Sequence, residues 1–182
     1  MTAPAFDATR AIRFDLTEGS VRANGQDEPL VLVPSSALSS LLASGPAEAA
    51  ETFGRTLGGA IGRRAAAEID DLATTPIETF VTQLAGHAAL LGVGSLSIER
   101  WGRALVIVLE RSPLAALLLA PLVAAALETA SGRKVWSVLL SNEEGAARIL
   151  VASQGGVERV RNWLTSGLGW RDALAKLQGG AA

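Results

Sequence analysis

His87 is the only histidine among 182 residues, cysteine and tyrosine are absent, and acidic residues stand side by side at Asp70-Asp71 and Glu143-Glu144. A histidine near a carboxylate could act as a general base or a metal ligand, but the nearest acid on the same expected helix is Glu78, more than two turns away. His87 therefore reads as a boundary residue making one ordinary hydrogen bond. The two acidic pairs fall on different expected loops with nothing beside them to raise a carboxyl pKa, so they read as solvated turn charges. Without cysteine there is no disulfide, thiolate nucleophile, Cys-ligated zinc or iron–sulfur cluster. Neither Gly92-Val93-Gly94 nor the glycines from Gly54 to Gly62 follow a strand and open a helix with phosphate-cradling spacing. No catalytic residue, cofactor site or metal site is expected, and the chain is not read as an enzyme.

Sixteen Lys and Arg against 18 Asp and Glu leave a net charge of -2, so no global basic field draws a nucleic acid. A local patch is still available from Arg55, Arg63 and Arg64, joined by Arg100, Trp101 and Arg103 if they fold nearby, and these six are the candidate partner-binding residues. Trp163 and Trp170 flank Gly167-Leu168-Gly169 and read as bulky filler that clamps a terminal helix.

The elements that must position these residues follow from periodicity. Ile12, Phe14 and Leu16 alternate with polar residues, and Leu30 to Val33 forms a second apolar run across a loop containing Asn24-Gly25. A short helix after Pro34 carries Leu38, Leu41 and Leu42, and Gly45-Pro46 opens a longer one to about Ile69. Thr75, Pro76 and Glu78 have the spacing of a capping box for a third helix, released at Gly92 or Gly94. Leu96 to Leu109 reads as a hairpin whose second arm is central in a sheet. Ser112-Pro113 then starts a helix, apolar all round, toward Thr129 with Gly132 as its stop. Val135–Leu140 and Ala146–Ala152 form a second hairpin, and helical pattern returns from Val157 to Leu177. Alternating βαβ units are missing, so the fold class expected is α+β: one domain over 10–178, an antiparallel sheet of hairpins packed against a helical layer, behind a disordered stretch 1–9.

From about residue 47 to 153 this order resembles the ligand-binding domain shared by TRAPP small subunits and 4-vinyl reductase domains. The likeness is carried by the helix from Thr75, the Leu96–Leu109 hairpin, the Leu114–Leu127 helix, and the closing hairpin with Asn142-Glu143-Glu144-Gly145 at its turn and Ala147-Arg148-Ile149-Leu150-Val151 beyond it. The resemblance implies that the Ala47–Ile69 helix is the one used in pairing. The acyl-anchoring cysteine of some TRAPP subunits, the metal cysteines of sensor versions and the tyrosine motif of related haem domains have no counterpart here.

Ala50, Gly54, Gly58, Gly62 and Ala66 recur every fourth residue along one stripe of that helix. Each mid-helix glycine costs about 0.5 to 1 kcal/mol relative to alanine, a cost offset where another backbone comes close. The approaching backbone is either a second chain, with Phe53, Leu57 and Ile61 gripping beside the stripe, or a helix of the same chain at Thr75 or Leu114. The expected function is a cytoplasmic, homodimeric scaffold or adaptor that binds a protein partner. The alternative is a sensor or carrier holding a small apolar ligand between the central helix and the sheet. No apolar run is long enough to span a bilayer, since Leu114 to Leu127 is short and contains Pro121.

Overall fold

The computed structural model describes residues 6–23, 29–69, 74–102 and 104–179. Of the N-terminal stretch expected to fray, residues 1–5 lie outside this description, as do Asn24-Gly25, Asp70-Asp71 and Arg103. The chain runs α1 (Ala8–Ala11), β1 (Ile12–Asp15), β2 (Ser20–Ala23), β3 (Pro29–Leu30), α2 (Ser35–Ser44), α3 (Ala47–Ala67), α4 (Ile77–Leu90), β4 (Ser95–Trp101), β5 (Ala104–Glu110), α5 (Ala116–Ser131), β6 (Trp136–Glu143), β7 (Ala146–Ala152), α6 (Gln154–Thr165) and α7 (Trp170–Gly179). It is a mixed α+β fold with antiparallel sheets against helices. Among the described residues no helix is long and apolar enough to cross a membrane.

Both expected hairpins form, and they join through β5 and β7 into one antiparallel sheet of order β4-β5-β7-β6. The β6–β7 turn is two residues, Glu144 and Gly145, both at positive φ, the geometry whose twist suits a tight hairpin. Strand alternation sorts the sheet's side chains into two cores. Ile107, Leu109, Ala147 and Ile149 point toward α4 and α5, whereas Val106, Val108, Leu150 and Val138 point toward α6 and α7. Burial on both faces is why β5 reads as an unbroken apolar run.

Helix α5 lies between the sheet and α3, and its apolar surface is covered on both sides. The small-residue stripe of α3 is what lets the two helices close. A β-carbon at Gly54, Gly58 or Gly62 would stand 2.7, 2.1 or 2.2 Å from the carbonyl oxygens of Leu118, Leu122 and Ala126 respectively. Ala50 and Ile61 are buried as well, while Ala66 is half-buried against the same core. The dimer interface expected on this stripe is therefore corrected: the backbone that nearly touches it belongs to α5 of the same chain.

Three local expectations also change. The N-terminal unit has three strands, because Ser20–Ala23 pairs with β1 and the apolar run stops pairing at Leu30, leaving Val31 to Val33 exposed. Helix α4 begins at Ile77 with Pro76 at its N-cap, a residue with no side-chain acceptor to cap it and no N–H for a Glu to reach back to, and Glu78 pairs with Arg100. Helix α5 begins at Ala116, while Ser112 Oγ accepts from the Leu114 N–H at 3.3 Å.

Candidate functional site

Helix α3 presents a second face beside its glycines. Phe53, Leu57, Ala60 and Arg64, spaced by three or four residues, with Thr56 beside them, form one wall of an open groove of about 570 Å³. Ile12 of β1, Leu30 of β3, Val31 to Val33 and Leu38 of α2 make the opposing wall. Leu90, Leu91, Gly92, Val93 and Leu114 close one side.

That closing turn is set by local chemistry. Gly92 takes φ +71°, its N–H donates to the Ala89 carbonyl at 3.0 Å, and the Val93 N–H reaches the Ala88 carbonyl at 2.9 Å. This paired closure satisfies the last carbonyls of α4 and fixes the leucines and Val93 at the groove. Thr56 donates its hydroxyl to the Thr52 carbonyl at 2.9 Å, so its side chain is tied to its own helix. A concavity of this size, aliphatic but for a few polar groups, suits a small apolar molecule.

The groove is not where the alternative reading put it. Between α5 and the sheet, Ile107, Leu109, Leu119, Leu122 and Val123 are fully packed. Phe53 and Leu57, expected to grip a second chain, instead wall the groove.

Arg64 is buried at the groove, 5% exposed, and beyond it lies His87. His87 Nε2 is 3.0 Å from Glu68 Oε1, which the end of α3 brings to it, and Phe6 meets the imidazole edge-on with ring centres 4.9 Å apart. Burial lowers the His87 pKa below its usual value near 6.5; the Glu68 carboxylate opposes that shift and the Arg64 charge adds to it. Glu68 could not be chosen from spacing alone, because the connection from α3 to α4 decides which acid meets the imidazole. His87 does not line the groove. Among the described residues no three metal-ligating side chains cluster.

Of the arginines expected to form a partner surface, two are ion-paired within the chain. Arg55 pairs with Glu128 at 3.4 Å and Arg100 with Glu78, Arg64 is buried, and Arg63 is exposed on α3. Trp101 donates its indole N–H to Glu99 Oε2 at 2.9 Å and packs edge-on to Trp170. Arg148 reaches the same Glu99 across β5 at 3.2 Å. Burial raises the Glu99 pKa, but the hydrogen bonds from Trp101 and Arg148 and the charges of Arg148 and Arg171 outweigh it, and the net shift is downward. The carboxylate thus holds an aromatic clamp between sheet and α7.

No protein-family model and no curated protein matches the chain. Among solved structures it is similar to the crystal structure of the phenol-responsive sensory domain of the transcription activator PoxR with phenol. The TM-score is 0.61 at 15% identity, covering 79% of this chain and 85% of that one. The likeness is one of fold. It corrects the scaffold, adaptor and TRAPP-like description, because this architecture is shared with a small-molecule sensory domain and the stripe that was to organise a scaffold is spent on α5.

Proposed function

We propose that the chain is a non-catalytic sensor or carrier domain that takes a small apolar ligand in the groove between α3 and the N-terminal strands. The observation that carries this reading is the groove itself, about 570 Å³, walled by Ile, Leu, Val and Phe side chains from elements far apart in sequence. The likeness in fold to a phenol-responsive sensory domain supports it. The element order that resembles the 4-vinyl reductase domains is compatible with the same use.

Binding of the neutral, solvatochromic dye Nile red, followed by its fluorescence, tests the proposal. Ala60 is half-buried in the wall, so Ala60→Trp fills the groove without entering the α3–α5 contact. The variant is expected to bind at least about tenfold more weakly than the native chain, a difference of about 1.4 kcal/mol. Saturating dye should also raise the native Tm, because a ligand that binds only the folded state stabilises it. Equal binding by both proteins, or none by either, contradicts the reading.

A further inference from the structure

Of the described side chains that line the groove, Arg64 alone carries a charge. The one other polar side chain, Thr56, donates its hydroxyl to the Thr52 carbonyl of its own helix, and the remaining lining residues are apolar or glycine. Polarity is therefore gathered at one end. From Phe53 to Arg64 the α3 wall runs about 16 Å at the helical rise, with its charge at the far end.

We infer that the groove takes an amphipathic monocarboxylate, its apolar body along Phe53, Leu57 and Ala60 and its carboxylate on the Arg64 guanidinium. This rests on the groove's being the ligand site. The guanidinium is buried, and a charge-assisted hydrogen bond made there, away from water, is stronger than one at the surface. Arg64 already has interactions inside the fold, but a guanidinium carries five N–H donors in a planar fork, of which one carboxylate takes two. A single negative charge is the right number. Glu68, one turn along the chain from Arg64, reaches His87 at 3.0 Å and does not line the groove. A dianion such as a phosphate monoester would set a second negative charge near that carboxylate with no further cation in the groove to meet it. A cationic ligand would meet Arg64 as a like charge.

Fluorescence titration with dansylaminoundecanoate and its methyl ester, at about pH 7.5, tests the inference, with neutral Nile red as the control for the groove itself. The native chain is expected to bind the acid at least about tenfold more tightly than the ester. Arg64→Met should bring the two within about twofold of each other and still bind Nile red. Because loss of a buried arginine can unsettle the fold, Ala60→Glu provides a second variant. Its carboxylate, four residues before Arg64 on the same helix, would engage the guanidinium from within the wall and abolish the preference for the acid, with native circular dichroism kept. A native chain that binds Nile red but takes acid and ester equally overturns the inference and leaves the groove reading standing. A preference for the acid that survives in folded Arg64→Met or in Ala60→Glu also overturns it. Failure of the native chain to bind any of the three probes overturns both.

Discussion

His87 shows how one side chain takes its behaviour from what closes over it. Its imidazole sits among the Glu68 carboxylate, the Arg64 guanidinium and the Phe6 ring, and burial disfavours its charged form. The folded chain therefore binds fewer protons at this site than the unfolded chain below pH about 6.5. The stability contributed by neutral His87 is present in full above that pH and is lost as pH falls through the lowered folded pKa. Urea midpoints taken from about pH 7.5 down to 5 should decline in the native protein, and His87→Leu should flatten that decline. An identical slope in the two proteins contradicts the account. Spacing identifies His87 as a lone imidazole without a catalytic set. Its partner Glu68 is not legible that way, because a contact between two helix ends depends on how the chain returns between them.

Helix α3 serves two neighbours with adjacent stripes: glycines against α5, and Phe53, Leu57 and Ala60 on the groove. Gly58 and Gly59, consecutive in sequence, should respond oppositely to alanine. At Gly58 the new β-carbon would lie 2.1 Å from the Leu122 carbonyl oxygen, so the helices must part. At Gly59 its nearest neighbours are Thr129 Oγ1 at 3.4 Å and Arg63 Nη1 at 3.6 Å, ordinary contacts. Gly58→Ala should cost about 3 kcal/mol or more by denaturant unfolding, and Gly59→Ala should add about 0.5 to 1 kcal/mol. Two destabilised variants, or two neutral ones, would show that the stripe is not seated as described. Four-residue spacing makes a close backbone approach legible but does not say whose backbone arrives. The two large hairpins are legible because alternation and turn residues are local signals over six or more residues, whereas Ser20–Ala23 alternates over only four and becomes a strand by pairing.

Across the whole molecule, stability should be graded from the large sheet outward. β5 is sealed on both faces by the two cores, while among the described residues the stretch from β1 through α2, connections included, carries most of the exposed large apolar side chains. Amide exchange should be slowest in β5 and at least about 100-fold faster in the N-terminal unit of the native chain. Uniform protection across both regions contradicts that grading. The overall class and the order of the central elements were legible because each local pattern has the right period. The groove was not, because its walls come from five segments that meet only after folding. Pairing of β5 with β7 also has a kinetic consequence. Each hairpin can close within microseconds as a local event, but Leu109 meets Ala147 only after α5 and β6 have intervened. The slowest productive step in building the domain is therefore the meeting of two preformed hairpins over the α5 crossover. A nascent chain released before β7 has emerged would carry β5 as an open edge, a target for chaperones until its mate arrives.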